Sequence, residues 1–236
     1  MDLQPITYRV GEREFTGWLA DGSGNARVPG ILIAHEAGGL TAHTKERAGM
    51  LGHLGFVALA ADLFGETDLD LERARTHSLG LRNDVPELRA RMRAALAVLE
   101  RHANVDASRL AAIGYCFGGA AAVELARDGA SLAAIAGFHA GILPGSAADN
   151  GKIRARVLLC HGAEDPAVPP TQILAFTEAL SAAKVDWQLH LYGGAGHSFT
   201  NPEIDSWGFP GFAYDEKADR RSWAALRALL EETLAA

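Results

Sequence analysis

Gly114-Tyr115-Cys116-Phe117-Gly118-Gly119 decides how the chain is read. It sets one thiol among glycines where an apolar run, Leu110 to Gly114, gives way to a helical pattern over Phe117 to Ala126. A strand-to-helix turn this tight imposes strained backbone angles on its central residue, and only glycine-like neighbours leave room for the close approach. The central side chain then projects outward over a helix N-terminus. Unpaired N–H groups and a partial positive charge there favour a thiolate and any oxyanion formed beside it. With serine at 116 the stretch would be a G-x-S-x-G nucleophile elbow. The plainer alternative is a small buried cysteine in a glycine-rich turn, and the residues downstream decide between the two.

Those residues come in the order nucleophile, acid, histidine that an elbow of this kind requires. Val157-Leu158-Leu159-Cys160 reads as a buried parallel strand, and His161-Gly162-Ala163-Glu164-Asp165-Pro166 follows it as a loop. Asp165 therefore sits just past a strand's carboxyl end, where α/β sheets place their ligands. Glu164 competes for the role of orienting acid, but the G-x-x-D spacing from Gly162 favours Asp165. Trp187-Gln188-Leu189-His190-Leu191-Tyr192 alternates as a strand near the sheet edge, and Gly193-Gly194-Ala195-Gly196-His197-Ser198-Phe199 follows. Third in this order, His197 is the expected base. His190 lies inside the strand pattern and reads as structural, and Cys160 as core.

The motifs G-Y-C-F-G-G, G-A-E-D-P and G-A-G-H-S-F together resemble the dienelactone hydrolase family, carboxymethylenebutenolidase-like enzymes of the α/β-hydrolase superfamily. The likeness runs over nearly the whole chain, including Ala34-His35-Glu36 at the end of an early apolar strand and Ala61-Asp62-Leu63-Phe64-Gly65 after the next. It implies a triad of Cys116, Asp165 and His197, with Glu36 beside the thiol. A carboxylate there disfavours a thiolate, so Glu36 would compete with His197 in setting the protonation of Cys116. The otherwise bland reading of Glu36 is a solvated acid ending a buried strand. Family pattern and elbow geometry assign an oxyanion hole to the backbone N–H groups of Ala37 and Phe117. The chemistry implied is two-step acyl transfer without a metal or organic cofactor.

Substrate recognition departs from the family. Dienelactones carry a carboxylate that relatives grip partly with an arginine a few residues past the catalytic histidine. Here that stretch is Ser198-Phe199-Thr200-Asn201, so neutral Asn201 stands where the anion clamp is expected. Arg73, Arg75 and Arg82 are candidates for a second family arginine, with Arg75 taken as the pocket contact. Trp207, and with it Phe209, offers an aromatic wall in a loop from Asn201 to Lys217, and Phe64 and Phe117 are open between pocket wall and core.

Lys and Arg total 22 against 29 Asp and Glu, a net charge of −7, which offers no basic surface for nucleic acid. Two cysteines make no disulfide framework, and an oxidised active thiol would be inert, so a reducing compartment is expected. The N-terminal Met1-Asp2-Leu3-Gln4 resembles no signal peptide and no apolar run reaches membrane-spanning length. The expectation is a soluble cytoplasmic protein without membrane or nucleic-acid partners, acting on a small lactone or ester, with a carboxylesterase or thioesterase of different substrate range, or a non-catalytic ligand-binding scaffold, as the alternatives. Its oligomeric state is open, with a monomer preferred.

The fold class expected is α/β, an α/β-hydrolase fold with a mostly parallel central sheet and helices on both faces, in one domain over residues 1–236. Ile6 to Val10 and Glu14 to Leu19 alternate as an edge hairpin. Strands are expected at Val28 to Ala34, Phe56 to Ala60 and Leu132 to Phe138, and helices at about Ala42 to Leu54, Val85 to Arg101, Thr171 to Ala183 and Asp219 to Leu234.

Overall fold

Strands buried from end to end organise both halves of the chain, and their uninterrupted apolar sequences are the cause. A computed structural model describes residues 1–142 and 145–235. Among the described residues eight strands, mostly parallel, alternate with helices, and the chain divides into two compact units, one spanning Met1–Ile113 and the other beginning at Gly114.

In the first unit, β1 (Gln4–Val10) and β2 (Arg13–Asp21) form the expected antiparallel hairpin, with Val10 opposite Arg13 and Gly11 at φ 57° in the turn. β3 (Val28–Ala34) is followed by α1 (Ala42–His53) and β4 (Val57–Ala61). β3 and β4 pair in parallel from Gly30–Val57 to Ala34–Ala61, and β2 lies antiparallel on the other side of β4. Every residue of β4, and β3 from Pro29 onward, is buried. Each Val, Leu or Ile so placed is worth about 1.5–3 kcal/mol relative to exposure, which fixes these strands at the centre.

Next come α2 (Leu71–Asn83), α3 (Val85–Arg101) and β5 (Val105–Tyr115). The caps mark both helix starts: Asp70 accepts from the Arg73 N–H at 2.8 Å and Asp84 from the Glu87 N–H at 3.2 Å. α2 was not legible as a helix, because it has little apolar periodicity; Leu71 and Leu79 are 54% and 47% exposed.

The second unit holds α4 (Phe117–Arg127), β6 (Ala134–Phe138), a short α5 (Ala147–Asn150), β7 (Arg156–Gly162), α6 (Pro170–Ala182), β8 (Trp187–Tyr192) and α7 (Glu216–Leu234). β6, β7 and β8 are parallel in that spatial order, with Phe138 beside Cys160 and Cys160 beside His190. Their carboxyl ends are therefore level, and the loops leaving them open at one edge. α4 is buried along its whole length, which explains its alanines. Its last residue, Arg127, donates to Glu124 at 2.7 Å and to Asn150 at 2.9 Å, so the buried charge is paired. The segment 201–217, expected as a loop, instead contains a 3₁₀ helix at Pro202–Trp207 and the first residues of α7.

Gly114 shows why the elbow needs its glycines: a Cβ there would lie 2.0 Å from the Gly118 carbonyl oxygen. Backbone cannot yield as a side-chain tip can. Gly114→Ala is expected to lower stability by about 2–4 kcal/mol, read by urea denaturation, and a loss below about 0.5 kcal/mol would contradict the packing described.

Candidate active site

Cys116 occupies the turn between β5 and α4 with φ 51° and ψ −112°, a region non-glycine residues rarely enter. Such a conformation costs about 1–3 kcal/mol and persists only where neighbours over-determine it. Here the Cys116 N–H donates to the Phe138 carbonyl at 2.9 Å, and the Gly119 N–H donates to the Cys116 carbonyl at 3.2 Å. The side chain is part-exposed at the N-terminus of α4, whose first residue is Phe117.

His197 reaches the sulfur from the loop after β8. Its Nε2 lies 3.1 Å from Cys116 Sγ, and its Nδ1 lies 2.7 Å from Asp165 Oδ2. The carboxylate is itself held, because its other oxygen, Oδ1, accepts from the Ala167 and Val168 N–H groups, both at 2.8 Å. With Oδ2 accepting, His197 carries hydrogen on Nδ1 and turns Nε2 to the sulfur. Glu164 is exposed, leaving Asp165 as the acid that meets His197.

The segment after the 3₁₀ helix folds back on His197. The His197 N–H donates to the Gly211 carbonyl at 2.9 Å, the Ala213 N–H donates to the His197 carbonyl at 3.3 Å, and the Phe212 ring meets the imidazole edge-on at 4.7 Å. This return needs glycine at 196, where a Cβ would come within 2.2 Å of the Gly211 oxygen.

Burial alone would push the His197 imidazolium down. The charge of the neighbouring Cys116 sulfur and the hydrogen bonds to Asp165 and Cys116 outweigh it and raise the group from 6.5 to about 10. Taken by itself, a raised value means the His197 charge stabilises the fold fully below pH 6.5 and that this contribution is lost as pH rises through about 10.

Two buried side chains that the sequence reading did not single out border this trio. His139, immediately after β6, has its Nε2 2.8 Å from Thr200 Oγ1 and its ring 5.3 Å from that of His197. His161 Nε2 donates to the Val168 carbonyl at 2.8 Å, and burial pushes its imidazolium below the ordinary value. The signal that could have found His139 is the one used for Asp165, a polar residue just beyond the carboxyl end of an apolar strand.

The remaining expected residues are placed as follows. Glu36 and Ala37 follow β3 in the first unit, where Glu36 Oε2 lies 3.5 Å from His43 Nδ1. Arg47 Nε donates to His43 Nε2 at 3.3 Å, so the hydrogen of a neutral His43 ring is on the nitrogen facing Glu36. Phe64 is fully buried, stacked on His77 at 5.2 Å and edge-on to His35 at 4.5 Å. Arg75 is exposed on α2, whereas Arg73 is engaged by Glu66 at 2.5 Å. In the second unit Phe117 is buried. Asn201 is buried too, and its side-chain oxygen caps the 3₁₀ helix by accepting from the Glu203 N–H at 3.0 Å. Trp207 is 40% exposed and packs edge-on against Phe209, which in turn meets Phe212. Among the described residues no helix is long and apolar enough to cross a membrane.

Residues 15–234 match the model of the dienelactone hydrolase family. A solved structure of a dienelactone hydrolase-like promiscuous phosphotriesterase from metagenomic libraries is 42% identical, covers 99% of both chains and superposes with a TM-score of 0.95. A probable 2-oxo-3-(5-oxofuran-2-ylidene)propanoate lactonase from Bradyrhizobium is 29% identical over 73% of this chain and 74% of its own length. Carboxymethylenebutenolidase from Pseudomonas putida is 28% identical over 78% and 80% respectively.

Ring-nitrogen NMR tests the electrostatics of the site. His197 is expected to stay cationic at pH 8 and titrate near pH 10. In Cys116→Ala the midpoint should drop by more than about two units, because the largest raising influence is gone while burial persists. Midpoints near 6.5 in both proteins would contradict the ion-pair description.

Proposed function

The chain belongs to the dienelactone hydrolase family, and from that premise we propose that it is a cysteine-dependent hydrolase of lactone or ester bonds. Cys116, His197 and Asp165 are the triad, and the intermediate is an acyl thioester. The observation that carries this reading is the unbroken run of contacts from Cys116 Sγ through His197 to Asp165, at 3.1 and 2.7 Å.

In the acylation step the Cys116 thiolate attacks the carbonyl carbon, forming the C–S bond, and the carbonyl oxygen takes up negative charge. The backbone N–H of Phe117, at the first turn of α4, and that of Ala37 are the assigned donors to this oxyanion. The C–O bond then breaks, and the His197 imidazolium gives its Nε2 proton to the departing oxygen. Neutral His197 next takes a proton from water, whose oxygen attacks the thioester. The acid product leaves, and thiolate and imidazolium are restored. Asp165 holds the ring through Nδ1–H in both steps. Glu36 is assigned a place beside the thiol, where its charge opposes thiolate formation in the resting enzyme.

A thiolate is also a good leaving group, so the first tetrahedral intermediate collapses forward only when the substrate oxygen departs readily. Enol lactones and aryl esters meet that condition, and simple alkyl esters do not. Asn201 is neutral and Arg73 is tied to Glu66, so we assign a substrate range less dependent on a carboxylate than dienelactone would require. Arg75, Phe64 and Trp207 are the remaining proposed contacts. A thiol nucleophile needs reducing surroundings, which supports a cytoplasmic enzyme; a single domain and acyl transfer without a cofactor belong to the same proposed reading.

A second reading, hydrolysis of activated phosphate triesters at the same thiol, is favoured by the likeness to the metagenomic phosphotriesterase. An aryl dialkyl phosphate assayed beside the esters tests it; release of the phenol that disappears with Cys116 would support it, and its persistence in Cys116→Ala would refute it.

Cys116→Ala should abolish ester and lactone hydrolysis with the fold intact, a loss of at least about 10⁴-fold in kcat/KM. Cys116→Ser should keep weak activity and shift preference toward simple esters, because an alkoxide is the poorer leaving group. Ranking lactones, aryl esters and thioesters, each with and without a carboxylate, measures both effects. Activity retained in Cys116→Ala, or an unchanged ranking in Cys116→Ser, would count against the assignment.

A further inference from the structure

We infer that His139, anchored by Thr200, is a positioning residue that fixes the plane of the His197 imidazole between Cys116 and Asp165. This rests on the reading of His197 as the base.

The first observation is backbone strain. His139 takes φ 40° directly after β6, in the left-handed region that non-glycine residues seldom occupy. It is 0% exposed, so the conformation brings no solvent contact, and its backbone N–H is fixed to the Cys160 carbonyl at 2.8 Å. Strained residues retained at such a cost mark places where a side chain must be aimed. Here the ring is aimed at the catalytic loop.

The second observation is what the ring meets. Its Nε2 lies 2.8 Å from Thr200 Oγ1, and Thr200, only 1% exposed, is three residues past His197. The same ring stands edge-on to His197 at 5.3 Å and an interplanar angle of 67°, and edge-on to Phe199 at 5.2 Å and 81°. One side chain therefore bonds the far end of the segment 197–200 and packs against two rings within it. An apolar residue at 139 would fill the space but would leave the buried Thr200 hydroxyl without this partner.

The third observation ties the base to the nucleophile. Phe138, the neighbour of His139, accepts the Cys116 N–H at 2.9 Å. Two consecutive residues at the end of β6 thus hold the strained backbone of Cys116 and the ring beside His197. The 3.1 Å separation of Sγ and Nε2 spans elements joined through this dipeptide, so slack at 139 is passed directly to the reacting pair.

The test uses three variants of the full chain, assayed with 4-nitrophenyl acetate from pH 5 to 11. Thr200→Val keeps the shape and removes the hydroxyl; it should lower kcat about 10-fold with KM within about twofold, as small misplacements of a catalytic group do. The alkaline limb of its pH profile should also move, because a less constrained His197 holds its proton differently. Thr200→Ser restores the hydroxyl and should bring kcat back to within about twofold of the parent. His139→Asn, a residue that tolerates the left-handed backbone, should lose about 30- to 100-fold in kcat.

Folded fraction is measured for each by near-UV circular dichroism and urea titration, so that activity is expressed per folded molecule. A parental kcat and pH profile in Thr200→Val would overturn the inference, as would a loss that serine does not rescue. If His139→Asn does not fold, the Thr200 pair decides alone. Cys116→Ala, assayed alongside, separates the two levels. Its inactivity together with a parental Thr200→Val sinks only the positioning role, while its retained activity removes the base assignment and the positioning role with it.

Discussion

The contact between Cys116 Sγ and His197 Nε2 is the constraint on which the rest of the second unit depends. It joins residues that are distant in sequence, and each must be brought in by a separate loop from a carboxyl strand end. Parallel pairing of β6, β7 and β8 keeps level the ends that carry His139, Asp165 and His197, and the buried apolar faces of the strands hold the register. Local strain at Cys116, at His139 and at Ser198, all at positive φ, is the cost of aiming side chains from turns this short. Backbone hydrogen bonds from Cys116 to Phe138 and from His197 to Gly211 offset part of it.

The electrostatics follow from the same geometry. A buried imidazolium is unfavourable alone, and it stands here because the sulfur and the Asp165 carboxylate flank its two nitrogens. Asp165 can serve as a fixed acceptor because Ala167 and Val168 N–H groups saturate its other oxygen. The imidazole is thus held with one nitrogen on the carboxylate and the other on the sulfur, the arrangement from which the proposed chemistry proceeds.

Much of this was legible in the sequence because the signals were local and redundant. The elbow glycines, the apolar run of β7 and the glycines around His197 each announce a tight turn or a buried strand, and their order along the chain points to the three residues that the structure brings into contact. β8 is readable to its ends and α3 closely, since Trp187 to Tyr192 alternates in sequence and Val85 to Arg101 carries helical spacing. α2 is hidden because two of its three leucines, Leu71 and Leu79, face water and only Ala74, Ser78 and Leu81 are buried, too few to show a helical period. The loop after His197 was read as irregular, yet Asn201 caps a 3₁₀ helix and Phe212 packs on His197; both are long-range or cap effects with no periodicity to betray them. The position of His139 just beyond an apolar strand is legible, but the positive φ that aims its ring leaves no mark in the sequence.

The proposed chemistry turns on acylation of the Cys116 sulfur during turnover. Acid-quenching the enzyme in the first turnovers with an aryl ester, followed by peptide mass spectrometry, tests it most directly. An added mass equal to the acyl group is expected on the peptide carrying Cys116, decaying at the rate of product release. An adduct on another residue, or full turnover by enzyme whose Cys116 has been completely alkylated, would contradict it.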